Sequence, residues 1–581
     1  MILKSLSDHY ERMLNDPGCD VAPPGFEKKA IPFLLIINKA GSFINLRDTR
    51  LGEGKKKVAR EFVVPQGEKK TSGIKSNLLW DSPQYVLGVS KGEEEKDRDR
   101  AAESLSEFEK KLDETFGSDF SDEGIVAVRN FLAKKDFTEI FKHVAWPEIK
   151  ENNSNLTFVL EGDERLVSQR QQVLQTLMTK THPSASTQTC AISGADDTPA
   201  ELHTSIKGVW GAQSSGANIV SFNLDAFRSF GKKQGLNAPV GKRTVFAYTT
   251  ALNTLLAKGS SQRIQVGDAS TVFWASATHP FEDDFSCFLG EPPKGEEPDY
   301  GKIRALLSSV RTGVLPAEDE MSFHVLGLAP NASRIAIRFW YEGSIRDLKK
   351  KIAQHFEDME IVRAPHDREF LSLFQLLVST AAEGKADNIP PNLGGEIARA
   401  VLSGGGYPRT LLAGAIRRCK AEQRINHARA ALIKGFLVRD SRLRGITTKE
   451  VGMALDKTIE NPGYVLGRLF AVLERIQEQA HAGLNKTIRD TYFSAATSNP
   501  LVIFKRLQDL AIHHLAKIRN SGKSTVWLDK LMQEVMGKVP ASGVPVTLTL
   551  EDQGRFAVGY YHQRQDFFNK NENETKENND E

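Results

Sequence analysis

The hydrophobic periodicity of this chain changes near residue 365, and few folds tolerate that change. Before it, short apolar runs alternate with Gly and Pro. Residues 31–38 form a compact apolar run, and 43–46, 58–64 and 85–89 follow at hairpin-like intervals, which predicts strands. Leu105, Phe108, Leu112 and Phe116 recur at helical spacing after the charge run of residues 92–100, so a helix with a solvated start is expected there. Strands are also expected at 156–160, 218–222, 263–266, 272–275, 321–328 and 333–341, with helices at 166–179, 240–257 and 345–356. After residue 365 strand signals nearly stop. Helical spacing takes over at 370–382, 397–402, 410–438, 463–482, 501–519 and 525–536. The expected class is α+β: a β-rich N-terminal part with helices, then an all-α C-terminal bundle.

These signals divide the chain into a mixed region 1–365, a basic helical region 366–452 and a C-terminal bundle 453–568. A tail follows at 569–581, so rich in Asn, Lys, Glu and Asp that disorder is expected. At 581 residues there is room for several cores. The longest apolar run is strand length, far below a membrane span of about 20 residues. The N-terminus lacks the apolar stretch of a secretion signal, so no membrane is expected and the default location is cytoplasmic. The four cysteines, Cys19, Cys190, Cys287 and Cys419, form no CxxC pair, which argues against a disulfide scaffold or a zinc ribbon.

Net charge is only +3, but its distribution is uneven. Residues 399–444 hold eleven basic side chains against Glu422 and Asp440. Arg417, Lys420 and Arg424 fall at i, i+3 and i+7 on one helical face; Leu412, Ile416 and Cys419 hold a neighbouring face. Guanidinium forks suit phosphates, and counterion release adds affinity, so nucleic acid is the expected partner. The competing reading is a solvated Arg face balanced by acids from elsewhere in the fold. Arg429 continues this set, and a second basic helix adds Lys505, Arg506, His513, His514, Lys517, Arg519 and Lys523.

Catalytic patterns are weak. Ala212-Gln-Ser-Ser-Gly216 resembles a nucleophile elbow, but its strand follows the Ser where an elbow needs it before. A small-residue loop that lets backbone approach a partner closely is the better reading. Gly522-Lys-Ser-Thr525 copies the end of a phosphate-binding loop, yet Lys517 stands where the first Gly belongs, so a helix cap at Ser524 or Thr525 is expected. His182, Cys190 and His203 match no structural zinc spacing, and the acidic pairs Asp283-Asp284 and Glu318-Asp319-Glu320 read as solvated turns. Tyr560, Tyr561 and His562 could stack on bases, but their near-helical spacing with Phe556 and Phe567 favours a bundle core. No cofactor, no metal and no catalytic residue is expected. The alternative kept open is a metal-dependent nuclease or other nucleic-acid-processing enzyme; a purely bridging scaffold is a third reading.

Six segments together resemble one family. They are Thr71-Ser-Gly-Ile-Lys-Ser-Asn77 with Trp80-Asp81 and Tyr85-Val-Leu-Gly88; Ile206-Lys-Gly-Val209; residues 211–223; Leu236-Asn-Ala-Pro239; Asn461-Pro462 leading into Tyr464-Val-Leu-Gly-Arg-Leu-Phe470; and Arg555-Phe-Ala-Val-Gly-Tyr-Tyr-His-Gln-Arg-Gln565. In this order they resemble the large subunit of the type I-C CRISPR Cascade surveillance complex. The resemblance implies a non-catalytic subunit at the foot of a complex built on CRISPR RNA. Such a subunit inspects duplex DNA for a protospacer-adjacent motif, promotes R-loop formation, helps hold the displaced single strand and recruits a helicase–nuclease. Implied partners are target double-stranded DNA, repeated backbone subunits, the RNA-processing foot subunit and small subunits. In such systems a separate small subunit comes from internal translation, and Met453 is the candidate start.

Base reading needs polar side chains on a loop fixed by phosphate contacts. On that ground Lys69, Lys70 and Lys75 are the expected phosphate contacts and Asn77 the expected base reader. Gln213, Ser214, Ser215 and Asn223 form a second candidate loop, for DNA or a neighbouring subunit. Arg417, Lys420, Arg424, Arg429, Lys505, Arg506, Lys517 and Arg519 are the candidates for DNA backbone or displaced strand.

Overall fold

The computed structural model describes residues 2–16, 19, 21–52, 57–68, 70, 73–90, 92, 94–179, 187–222, 224–291, 299–314 and 316–577, with side chains to residue 568. The chain forms two compact units. One comprises residues 3–204 and 220–252, the other 205–219 and 253–581.

In the first unit the elements are α1 (Ile2–Asn15), β1 (Phe26–Ala30), β2 (Phe33–Ile37), β3 (Phe43–Asp48), β4 (Glu61–Pro65), β5 (Trp80–Asp81), α2 (Pro83–Val86), α3 (Glu95–Phe116), α4 (Glu123–Lys134), α5 (Thr138–Lys142), α6 (Trp146–Asn152), β6 (Leu156–Leu160), α7 (Gln171–Thr179), β7 (Gln188–Thr189), β8 (Asp196–Asp197) and α8 (Lys242–Leu255), whose last turn enters the second unit. The main sheet has the order β3-β2-β6-β5, with β2 parallel to β6. A parallel pair needs a long crossover, and α3–α6 lie on it. Phe33, Leu35 and Ile37 join Phe108, Leu112, Val128 and Phe131 in one core, while Leu34 and Ile36 meet Val64, Trp80 and Val159 on the other face. Burial on both faces is why this strand reads as an unbroken apolar run.

The second unit contains β9 (Arg263–Val266), β10 (Ala269–Ala275), α9 (Phe281–Leu289), α10 (Tyr300–Thr312), β11 (Ser322–Asn331), β12 (Arg334–Ser344), α11 (Ile345–Met359), α12 (Leu373–Thr380), α13 (Leu393–Ser403), α14 (Arg409–Glu422), α15 (His427–Leu443), α16 (Pro462–Ala480), α17 (Ile488–Ser498), α18 (Pro500–Asn520), α19 (Val526–Met536) and α20 (Leu550–Glu577). Strands β9 to β12 form an antiparallel meander in the order β12-β11-β10-β9. Phe273, Phe323 and Phe339 of that sheet share one apolar core with the helices, continuous from Val266 to Phe567. The expected boundaries at 365 and 452 therefore coincide with no gap in the packing.

The α+β class holds, with the sheets in the N-terminal part and helices beyond. Three local expectations are corrected. Residues 85–89 are no strand: Pro83, with its φ preset for a first helical turn, opens α2 instead. Residues 218–222 form no strand, and only Asn218 bridges to Arg334. The helix expected over 410–438 is two: Gln423 turns left-handed at φ 47°, and Asn426 caps α15 by accepting from the Arg429 N–H at 2.9 Å. At the tail, helical backbone continues to Glu577 where disorder is expected from Asn569, because a helix already formed at Phe556–Phe567 propagates far more easily than it nucleates. Residues 578–581 lie outside the described residues.

Helices α16 and α20 approach each other closely. A Cβ on Gly467 would lie 2.0 Å from the Phe556 carbonyl, one on Gly463 2.3 Å from that of Asp552, and one on Gly559 2.3 Å from that of Tyr464. These glycines let two backbones touch, and both helices belong to segments that carry the family resemblance.

Candidate nucleic-acid interface

Asp358 explains much of the basic stretch. This α11 carboxylate is 1% exposed and accepts from Arg439 Nε at 2.6 Å and from Arg442 NH1 and NH2 at 2.7 and 2.9 Å. Burial alone would raise its pKa, but the Arg442 hydrogen bonds and the Arg439 charge outweigh burial and hold it below the ordinary carboxylate range. The Arg439 guanidinium also stacks 4.2 Å from the Tyr407 ring. Lys434 Nζ is buried and donates to the Glu357 carbonyl at 3.0 Å.

Other members of the stretch are also engaged. Arg429 is buried, pairs with Glu422 at 2.6 Å and donates to the Ser379 carbonyl at 2.9 Å. Lys420 Nζ donates to Ser498 Oγ at 2.8 Å and Gln553 Oε1 at 2.7 Å, and its burial lowers its pKa. Arg409 pairs with Glu551, Arg418 with Glu422 and Arg444 with Asp440. The expected phosphate row of Arg417, Lys420, Arg424 and Arg429 thus splits. Arg417 and Arg424 are exposed, with no side-chain ion pair to a described residue; Lys420 and Arg429 point into the fold. Balancing acids from α11 and α20 lie far off in sequence, which is why counting charge along the chain missed them.

Helix α18 is different. Phe504, Leu507, Ala511, Leu515 and Ile518 are buried at three- and four-residue spacing. The opposite side exposes Lys505, Arg506, His513, Lys517 and Arg519, followed by Lys523. Asp509 is the only acid on the helix. None of the four Lys and Arg pairs with a carboxylate among the described residues. Arg506 lies 5.5 Å from the Tyr492 ring, and Lys517 Nζ sits 2.9 Å from His481 Nδ1. The pKa of His514 is lowered by burial and then by the charges of His481, Lys517 and His513, a sign of local positive potential. Exposed Leu501, Val502 and Ile512 share this helix. The Lys420–Ser498 bond fastens α14 to the chain two residues before α18 begins, so Arg417 lies one turn back from that junction.

Between β4 and β5 the described residues Glu68, Lys70 and Asn77 are tied to one another and to Asp81. The Glu68 N–H donates to Asn77 Oδ1 at 2.9 Å, and the Asn77 N–H to Asp81 Oδ2 at 2.8 Å. Lys70 Nζ lies 2.7 Å from both Asp81 oxygens and 3.6 Å from the Tyr85 ring centroid. Burial lowers the Lys70 pKa, and Asp81 only partly offsets it. Lys111 of α3 donates to Glu68 and to the Ser76 carbonyl. Asn77 is 5% exposed, so it and Lys70 frame this loop from inside. Lys75 is exposed and makes no ion pair with a described residue. Lys69 lies outside the described residues.

Gln213, Ser214 and Ser215 form an exposed turn closed by the Gly216 N–H donating to the Gln213 carbonyl at 2.9 Å. Gly216 has φ +90°, and a Cβ there would lie 2.8 Å from the Ile206 carbonyl. Asn223 lies outside the described residues. Tyr560 donates to Glu474 Oε2 at 2.5 Å, Tyr561 to the Val362 carbonyl at 2.9 Å, and His562 Nδ1 sits 3.0 Å from the Tyr464 hydroxyl, all in the core as expected. Thr525 precedes α19, where its hydroxyl donates to Asp529 at 2.7 Å. Cys190 and His203 both face α8, through Thr244 and Tyr248, and His182 lies outside the described residues. Among the described residues no group of three His, Cys, Asp or Glu side chains is placed to hold a metal, and no helix is long and apolar enough to cross a membrane. An open cleft of about 800 Å³ lies between α10 and the end of α11, its rim ions already paired as Arg304–Glu369 and Arg311–Glu357.

No protein of curated function matches the chain. The family model described as CRISPR-associated protein (Cas_Csd1) matches residues 6–568, nearly the whole length. With that span, the chain belongs to the CRISPR-associated protein family Cas_Csd1, the large-subunit family of type I-C systems.

Proposed function

We propose that this chain is the non-catalytic large subunit of a type I-C CRISPR RNA-guided surveillance complex. It reads the protospacer-adjacent motif in duplex DNA, promotes R-loop formation, holds the displaced strand and offers a landing surface to the helicase–nuclease. The observation that carries the nucleic-acid part is the α18 face: Lys505, Arg506, Lys517 and Arg519 exposed, with Asp509 as the one acid on the helix. Cations without carboxylate partners are free to replace the counterions of a phosphate backbone. Motif reading falls to the loop of residues 67–77, with Lys75 on a phosphate and the Asn77–Asp81–Lys70 clasp holding the loop's shape.

Replacing the four α18 cations with Gln tests the reading. Each phosphate contact contributes about 0.7 to the salt slope of single-strand binding, so the slope should fall by about 3. An unchanged slope removes α18 from the nucleic-acid path. Labelled duplex incubated with the chain, with and without EDTA, tests the non-catalytic part: metal-dependent cleavage would establish the nuclease alternative. Met453 is half-exposed in the segment before α16, and a product from there to Glu581 would have 129 residues. It would keep Phe470, Phe493, Phe504, Phe556 and Tyr560 as a shared aromatic core. Persistence of the short product after recoding Met453 excludes that start.

A further inference from the structure

Phe230, in the loop of residues 224–237 of the first unit, is exposed where an aromatic ring ordinarily is not. Its side chain is 95% exposed, and its backbone sits in the left-handed region at φ 57°, ψ 28°. Bulky side chains rarely adopt that conformation, because Cβ crowds the carbonyl. A residue stays there only when its surroundings fix it. Here they do: Asn237 Nδ2 donates to the carbonyls of Phe227 and Ser229, each at 2.9 Å, fastening the backbone three residues and one residue before Phe230. The Phe222 and Phe227 rings meet edge-on at 5.8 Å, and Gly231 follows at φ 67°. The loop's own hydrogen bonds hold the backbone from which the exposed ring projects.

Cations flank it. Arg228, Lys232 and Lys233 lie within three residues on either side, and Asp225 is the only acid in the loop. Arg228 pairs with Asp225, whereas Lys232 and Lys233 are exposed and pair with no described residue. An exposed ring on a held backbone, followed by two lysines with no ion pair to a described residue, suits a ligand that has a π-face beside a negative charge. Unpaired nucleotides have both, and every base can stack regardless of sequence. A protein partner fits less well, since lysines are depleted where protein interfaces bury aromatic anchors.

We propose that Phe230 is a base-stacking residue: its ring takes the face of an unpaired base in single-stranded nucleic acid, with Lys232 and Lys233 on the flanking phosphates. This rests on the nucleic-acid reading above and adds a site that the basic helices do not include.

The test uses the full-length chain and fluorescently labelled oligo-dT and oligo-rU, titrated over a range of salt. Phe230→Ala should weaken binding by about five- to a hundredfold while leaving the salt slope intact, because stacking is not ionic. Phe230→Trp should keep the affinity. Phe230→Gly should lose it without lowering Tm, since glycine accepts the left-handed backbone at no steric cost. Loss on DNA, RNA or both supports the proposal and names the strand. Wild-type affinity in Phe230→Gly overturns it, as does a marked fall in its Tm, which would mean the ring is structural. Normal binding with failed assembly into the multi-subunit complex would make Phe230 a protein anchor and also overturn it. The α18 Gln variant in the same assay separates the two readings. If that variant loses affinity while Phe230 variants do not, only the stacking site falls; if no variant changes binding, the nucleic-acid reading falls as well.

Discussion

Asp358→Ala should be among the most destabilising single changes in the second unit, and the geometry gives the size. Among the described residues the carboxylate is the only anion bonded to the Arg439 guanidinium, which is itself 1% exposed. Without it, Arg439 keeps only long bonds to the Ala400 and Gly405 carbonyls, at 3.3 and 3.4 Å, and the Tyr407 ring. Arg442 is partly exposed and regains water, so the cost concentrates on Arg439. Removing one partner of a buried pair costs about 3–5 kcal/mol, mostly the uncompensated charge that remains. Adding Arg439→Met to Asp358→Ala should therefore recover most of the loss, because apolar replacement of both partners is close to neutral. Urea unfolding of the four proteins of the cycle, followed by near-ultraviolet circular dichroism, measures the coupling. The contribution also has a pH signature. Because the folded pKa of Asp358 is depressed, its stabilisation is present above the ordinary carboxylate value near 4 and disappears as pH falls below it. The salt slope of DNA binding, measured where each variant is folded, gives the functional readout. A decrease of about 0.7 or more in Arg439→Met would mean that this guanidinium reaches a phosphate, and the structural assignment would fail.

Gly467→Ala should cost about 2 kcal/mol despite alanine's better helix propensity, because the new Cβ meets the Phe556 carbonyl at 2.0 Å and the helices must part; a Tm equal to wild type would refute the close approach. Burial lowers the pKa of His355 to about 3 and that of His562 to about 4. The unfolded chain protonates these rings near pH 6.5 while the folded one does not. Stability should thus fall on acidification from pH 7 to 5, by about 4 kcal/mol for the pair, and an unchanged unfolding midpoint in a His355→Gln, His562→Gln double variant over that range would locate the acid sensitivity here. Asn77→Ala breaks the bond from the Glu68 N–H and should cost about 1–2 kcal/mol. Because the clasp shapes the loop to which motif reading is assigned, the variant should lose more affinity for duplex that carries the recognised motif than for duplex that lacks it, and equal affinities would remove this loop from motif reading.

Elements whose apolar pattern is local were legible in the sequence. Strand β2 and helices α8, α11, α16 and α18 lie where periodicity puts them, because each buries a face that its own spacing defines. Two errors came from short-range chemistry: Pro83 opened a helical turn in a strand-like run, and Asn426 capped a second helix inside an apparently continuous one. The candidate site was legible only in part. Lys505, Arg506, Lys517 and Arg519 could be found from sequence because their helix supplies its own single acid. Arg429 and Arg439 could not be distinguished from them, since their opposing carboxylates are Glu422 and Asp358, and Asp358 lies 81 residues away. Phe230 left no pattern at all: its signal is a backbone angle, which composition does not encode.

The same contrast bears on what the family resemblance marks. Several of its segments lie where backbone approach or hydrogen bonding constrains shape. Asn77, Trp80, Asp81 and Tyr85 make one closed clasp, with the Trp80 indole donating to the Pro65 carbonyl at 2.8 Å. Gly208 and Gly216 sit at positive φ where a Cβ would strike the Leu256 and Ile206 carbonyls. Gly463, Gly467 and Gly559 admit one helix against another. Each is a constraint of shape, and shape has few solutions in sequence. A phosphate contact has many, since any exposed Lys or Arg on the right face serves. The motifs that identify the family are therefore poor guides to the residues that touch nucleic acid. On that physical ground the α18 face, the Phe230 loop and, within the motifs, exposed Lys75 are where substitution should alter binding without altering the fold. Asn237 is the informative exception. It belongs to a resemblance motif, yet its two hydrogen bonds lead directly into Phe230, so Asn237→Ala should lower single-strand affinity through the loop it holds. Unchanged affinity in that variant would show that the ring needs no fixing, and would remove the reason for its strained backbone.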